Sequence, residues 1–270
     1  MAQSTFVERS LSEINRTLEQ SLFAEKAARQ KGLLQLFDAR AKAIATLLLL
    51  IAAGSAKRLE WLAFLFALTL LGVVLSRLHL GNFLKRVCLV VLLFTSLIAL
   101  PALFLTPGAP LWTLPGGLII TRSGATSAAF LLLRVTTSIS LASLLVLTTP
   151  WNDILRALGM LHLPDVIVLI LAMTYRYIHL LLHEAQDMFT SRQSRLLRRL
   201  TRTEERELLG NTGGVLLSKS LQLSGEVYLA MQSRGYHHYP RTLNEFHFHW
   251  HDGLLLVFSL LILSAVLVFA

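Results

Sequence analysis

DVIVLILAMTYRYIHLLLHEAQDMFTSRQSRLLRR, residues 165–199, opens as an apolar run and closes as a basic one. Whether its first half, 165–182, crosses a membrane decides the topology of the whole chain. Five other apolar runs surround it, at about 39–56, 59–75, 87–106, 126–149 and 252–270. Most are near the ~20 residues that cover a ~30 Å hydrocarbon layer. The shorter run at 39–56 ends at Lys57 and Arg58, whose long stems can reach the interface. Backbone polar groups in hydrocarbon must satisfy one another, so each run is read as a helix.

Basic residues mark the cytoplasmic side of membrane proteins. If 165–182 spans, the segment 183–241 lies outside with Arg192, Arg195, Arg198, Arg199, Arg202, Arg206, Lys219, Arg234 and Arg241. The flank with Arg29, Lys31, Arg40 and Lys42 then lies inside, as does the loop with Arg77, Lys85 and Arg86. The loop Thr106 to Gly124, which carries only Arg122, lies outside in either case. If 165–182 does not span, every strongly basic segment falls on the cytoplasmic side. The second reading is consistent, and it also spares the lipid Arg176 and two histidines. The expectation is an all-α polytopic membrane protein with about five transmembrane helices, three long cytoplasmic helices and a cytoplasmic N-terminus.

Composition agrees. Of 270 residues 54% are hydrophobic and 15% charged, whereas a soluble domain carries about a quarter charged residues. The net charge of +9 reports topology rather than nucleic-acid binding. Cys88 lies inside one span, so no intramolecular disulfide is expected, and residues 1–36 hold no continuous apolar stretch of the signal-peptide kind.

Four regions follow. Residues 1–36 form an amphipathic segment with Val7, Leu11, Ile14, Leu18 and Leu22 on one stripe. It suits the membrane surface, a partner or the protein's own cytoplasmic face. Residues 37–149 hold transmembrane helices one to four, 150–250 a cytoplasmic domain, and 251–270 the last span. Within 150–250, Thr149–Pro150 and Pro164 read as helix starts, Thr149 serving as an N-cap. The helix from Pro164 is expected to reach about Leu200. Thr201 to Gly214 reads as a polar linker, and a further helix as Val215 to Arg234 with Leu217, Leu221, Ser224, Tyr228 and Met231 on its buried face. Gly235 sits where a left-handed cap belongs.

Chemistry is sparse. The stretch Gly210 to Ser220 lacks the Gly-Lys-Ser/Thr ending of a phosphate-binding loop. No apolar run contains an internal Asp or Glu, since Asp38, Glu60 and Asp252 sit at the ends. Ion-coupled carriers place such carboxylates mid-membrane, so a stand-alone secondary carrier or channel is the weaker reading. Neither a His-Glu-x-x-His pair nor a Gly-x-Ser-x-Gly elbow is present, which disfavours an intramembrane enzyme. What remains is a non-catalytic scaffold with a basic helical region suited to receive force. Arg192, in Ser191-Arg192-Gln193, and Arg234, in Ser233-Arg234-Gly235, lie near helix ends. There a guanidinium either complements the helix dipole or enters a partner's cleft to hold a carboxylate. Arg134, about a third of the way along the fourth span, must face protein, water or the interface, through a structural contact or a contact with a partner. His237, His238, His247, His249 and His251 cluster before the last span, but no thiol or carboxylate completes a metal set, so no metal site is assigned.

Met173-Thr174-Tyr175-Arg176-Tyr177-Ile178, with Leu181-Leu182 and Glu184-Ala185, resembles the cytoplasmic coupling region of energy-coupling factor transporters. Glu226-Val227-Tyr228-Leu229-Ala230-Met231-Gln232-Ser233-Arg234-Gly235-Tyr236 resembles the second coupling motif of that family. The wording is most similar to the cobalt/nickel branch, the CbiQ-type T component. Asp38-Ala39-Arg40-Ala41-Lys42 and Leu147-Thr148-Thr149-Pro150 are supporting matches, and the resemblance covers about 35–240. The family's Ala-Arg-Gly stands here as Ser-Arg-Gln and Ser-Arg-Gly, and Ala39 replaces an expected Pro. The resemblance implies a T subunit that joins a substrate-binding integral membrane S component to two ABC-type ATPases. It implies no cofactor on this chain, ATP being bound by the partner ATPases. It also implies ATPase docking by Arg192 and Arg234 with Ser191, Gln193, Ser233 and Gly235. Arg134 and Arg176 are further candidates for partner contact.

Overall fold

The structure, a computed structural model, describes residues 11–16, 28, 32–91, 95, 99, 101, 110–113, 119–160, 163–195, 201–236 and 249–269. Two compact units form, one of residues 26–157 and 246–270, the other of residues 1–25 and 158–245.

In the first unit the apolar runs become α1 (Ala39–Ser55), α2 (Leu59–Leu75), α3 (Leu80–Val90), α4 (Arg122–Thr148) and α8 (Trp250–Phe269). The run 87–106 lies mostly outside the described residues beyond α3. A two-stranded antiparallel hairpin, β1 (Pro110–Thr113) and β2 (Ile119–Thr121), precedes α4. Thr121 then caps α4, its Oγ1 accepting from the Gly124 N–H at 3.1 Å. Small residues bring the helices close: Ala52, Ala53 and Ala56 are wholly buried against Leu62, Leu65, Ile262 and Val266. A second cluster joins Val73, Phe83, Val87 and Val91 to Leu132, Val135 and Ile139 of α4. A short 3-10 turn, Leu34–Leu36, straps the end of α2, with the Leu33 N–H donating to the Leu75 carbonyl at 3.3 Å. Gly32 lies so close that a Cβ there would sit 2.8 Å from the Ser76 carbonyl oxygen.

Helix α5 (Trp151–Met160) straddles the boundary between the units, and the second unit contains α6 (Asp165–Gln193) and α7 (Arg202–Ser233). Here several expectations are corrected. Thr149 is not an N-cap, because its buried Oγ1 makes no hydrogen bond. Instead the Pro150 carbonyl starts α5 by accepting from the Asp153 and Ile154 N–H groups. Helix α6 ends at Gln193 rather than near Leu200. Hydroxyls of Thr190, Ser191 and Ser194 turn back onto the carbonyls of Gln186, Met188 and Ser191, which competes with helix continuation. The expected linker 201–214 is helix instead. Thr201 and Glu204 form a reciprocal capping box that starts α7 thirteen residues early, and Gly210, Gly213 and Gly214 are absorbed inside it.

The face of α7 also differs from the expected one. Leu217, Leu221 and Tyr228 are 63%, 68% and 61% exposed. The covered face runs instead through Leu208, Thr212, Leu216, Ser220, Leu223, Val227 and Met231, so of the expected stripe Met231 lies on it. A four-three stripe counted from Val215 misses it because the packing begins about two turns earlier, at Leu208. Of the amphipathic N-terminal segment, residues 11–16 are helical. Leu11 and Ile14 pack on Phe189 and Leu208, so that part covers the chain's own helices α6 and α7.

Among the described residues α4, α6 and α8 are long and apolar enough to cross a membrane, while α2 is apolar but shorter, at 17 residues. The chain is an all-α polytopic membrane protein.

Candidate functional site

Helices α6 and α7 run antiparallel and diverge. Their closed end is a small core of Phe189 and Leu208, each under a tenth exposed. Midway, Glu184 and Lys219 form an ion pair. Beyond it the helices part around an apolar groove of about 1140 Å³, flanked by Met173, Tyr177 and Leu181 on α6 and Leu223, Val227 and Met231 on α7. Residues of both quoted coupling motifs thus face each other across one groove. Arg176 is exposed on α6.

The two candidate arginines sit at opposite ends of this hairpin. Arg192, one residue before the end of α6, is exposed and borders a cavity of about 610 Å³ with Arg195, Glu204, Glu207 and Asn211. Ser191 donates its hydroxyl to the Met188 carbonyl at 2.9 Å, so it is locally committed, and Gln193 is exposed. Arg234 is the C-cap of α7. The Gly235 N–H donates to the Gln232 carbonyl at 2.9 Å and the Tyr236 N–H to the Met231 carbonyl at 3.1 Å. With Gly235 at φ +76°, this is a Schellman cap. Ser233 turns its hydroxyl onto the Ala230 carbonyl at 3.0 Å. Neighbouring polar groups are therefore self-satisfied, and the exposed guanidinium at 234 projects from a chain end that is conformationally fixed. Arg192 lies beside Glu204, Glu207 and Asn211 of α7, so the rest of that helix, at ~1.5 Å per residue, holds the two arginines roughly 40 Å apart.

In the membrane unit, Arg134 Nη2 donates to the Ala56 carbonyl at 2.6 Å, an internal contact that closes the end of α1 onto α4. Motif residues at the other end of α1, a supporting match in the sequence, build a buried polar latch. Asp252, 1% exposed, accepts from the Asp38 N–H and the His249 N–H, both at 2.8 Å. Asp38 caps α1 through the Arg40 N–H at 3.0 Å. Lys42, 7% exposed, donates to the Thr148 carbonyl at 3.0 Å, at the negative end of the α4 dipole. The segments Asp38–Lys42 and Leu147–Pro150 thus meet in space. Their signal in the sequence was charge at the edge of apolar runs, which reads as interfacial until the partner is seen.

No three His, Cys, Asp or Glu groups converge on a metal geometry among the described residues. His237, His238 and His247 lie outside them.

The matched stretch is long. Residues 30–244 fit the model of the CbiQ family, described as cobalt transport protein. The chain belongs to the CbiQ family. Among CbiQ relatives, it is 32% identical over 266 residues to an uncharacterised protein of Methanocaldococcus jannaschii, covering 97% of this chain and 91% of that one. It is 29% identical over 224 residues to the energy-coupling factor transporter transmembrane protein EcfT of Brevibacillus brevis, covering 76% and 81%. It is 32% identical over 136 residues to the nickel permease LarQ of Lactiplantibacillus plantarum, covering 50% and 48%. Both motifs that resemble the coupling region, and the Asp38–Lys42 half of the latch, fall within the family match, whereas Asp252 lies beyond it.

Proposed function

We propose that this chain is the transmembrane coupling subunit of an ATP-driven importer for cobalt or nickel ions, in which α6 and α7 carry ATPase motion to a substrate-binding membrane protein. The observation that carries this reading is the pair of exposed arginines at the two ends of one antiparallel hairpin. Each is flanked by groups already bonded to their own backbone. Two receptors roughly 40 Å apart fit two ATPase subunits better than one. Hydrolysis is assigned to those partners, and the chain itself is non-catalytic. The cytoplasmic placement of α6 and α7, with the N-terminus inside a bacterial or archaeal cell membrane, follows from the basic residues clustered on 183–241.

Replacing Arg192 and Arg234 together by Ala tests it. A guanidinium buried against a partner carboxylate is worth about 2–5 kcal/mol when truncated, partly because the carboxylate is left unpaired. Co-elution of ATPase subunits with the tagged chain should fall by orders of magnitude, with membrane insertion unchanged. Arg→Lys changes should lie between, since an ammonium keeps charge but loses the planar fork. Dipole complementation alone is worth under ~1 kcal/mol, and full assembly and uptake by the double variant would sink the coupling assignment.

A further inference from the structure

We propose that His179 and His183 form a two-imidazole binding site for a divalent transition-metal ion on α6. They are four residues apart within one continuous helix, so their Cβ atoms lie roughly 5–6 Å apart on one face. Helical side chains lean toward the N-terminus, which tips His183 toward His179. His179 is already oriented. Its Nδ1 lies 3.0 Å from the Tyr175 carbonyl oxygen. A carbonyl only accepts, so Nδ1 carries the proton and Nε2 presents its lone pair. The Tyr175 ring holds the imidazole plane from the edge, centroids 4.9 Å apart at 68°. A ring N–H given to a backbone carbonyl is the arrangement that orients and activates metal-bound imidazoles. His183 is exposed, one turn further on.

The remaining ligands would be water. Adjacent Glu184 is committed to Lys219, and no third group converges among the described residues. Imidazole pairs favour the borderline ions nickel, cobalt, copper and zinc over magnesium and calcium, which demand oxygen. The site therefore takes ions of the class named for the CbiQ family and for LarQ. It involves this chain alone and needs no ATPase, so its failure and the failure of the coupling reading are distinguishable.

The experiment uses the full chain on a histidine-free tag, with bound Ni²⁺ counted by equilibrium dialysis. Wild type should bind one more Ni²⁺ than the His179→Ala/His183→Ala variant. The conservative His183→Gln change, at an exposed position, should lose the same ion with helical circular dichroism unchanged. Replacing His249 and His251 should leave that ion in place. With Cu²⁺ as probe, paramagnetic resonance should show two imidazole nitrogens in wild type and one or none in His183→Gln. Equal Ni²⁺ counts in wild type and both α6 variants, or an unchanged Cu²⁺ spectrum in His183→Gln, would overturn the site.

Discussion

The membrane unit and the proposed coupling unit are both helical, but they are held together differently. In the membrane unit, wholly buried alanines let α1 meet α2 and α8 at close range, and helix ends are tied by the Asp38–Asp252 and Lys42–Thr148 bonds. In the coupling unit the core shrinks to Phe189 and Leu208 with Leu11 and Ile14, and the rest of the hairpin stands open. Val166, Ile170, Leu217, Leu221 and Leu229 are each more than half exposed there. Scattered apolar exposure is ordinary, but under the proposed cytoplasmic placement a continuous apolar groove marks an interaction surface. One unit closes on its own core; the other leaves an apolar groove open, as the proposed coupling role requires.

The sharpest way to break that contrast is topological. A reporter inserted near Asn211 should read cytoplasmic, and one fused after Ala270 external. An external signal near Asn211 would put α6 through the bilayer and turn its apolar groove into a lipid-facing surface.

Next in size is the coupling core. Phe189→Ala removes the largest side chain of a four-residue cluster, where a Phe→Ala change costs about 3 kcal/mol when the site cannot collapse. Limited proteolysis should then cut between α6 and α7 much faster, with the membrane helices as resistant as before. Equal loss of protection in both units would mean that they fold as one.

Asp252→Ala probes the membrane latch. It strands the N–H groups of Asp38 and His249, one of them deeply buried, at about 1–3 kcal/mol. A lower thermal midpoint in detergent is expected, with the proposed Arg234-dependent ATPase binding retained once the protein is folded. An unchanged midpoint would show that water substitutes at the latch.

Legibility followed the same division. The spans at 59–75, 126–149 and 252–270 were readable to within a few residues, because hydrocarbon length imposes a minimum run. Gly235 was readable because a positive φ selects glycine. The coupling helices were misjudged in extent. Gly213–Gly214 looked like a linker, yet a capping box at Thr201 and Glu204 starts the helix upstream and outweighs the glycines. The buried face of α7 was misread because hairpin packing at Leu208, which no local pattern announces, sets its phase. The latch was invisible because Asp38 and Asp252 are 214 residues apart. Of the docking candidates, the arginines themselves were legible near helix ends, but not that they lie at opposite ends of one hairpin.

The smallest expected effect concerns those glycines. Gly210, Gly213 and Gly214 lie near the middle of a 32-residue helix, and a Cβ at any of them would meet nothing within 4 Å. Close packing therefore does not require them, and each weakens the helix by roughly 0.5–1 kcal/mol relative to Ala. Gly213→Ala should stabilise α7 by about that amount, seen as slower amide exchange around position 213. The same change at Gly235 should act in the opposite sense, since its φ of +76° costs an L-residue about 1–2 kcal/mol. A destabilising Gly213→Ala would mean that this face of α7 is closely packed after all. A stabilising one that also slows ATP-driven uptake would indicate that the open unit needs a helix able to bend, a demand the tightly packed membrane unit does not share.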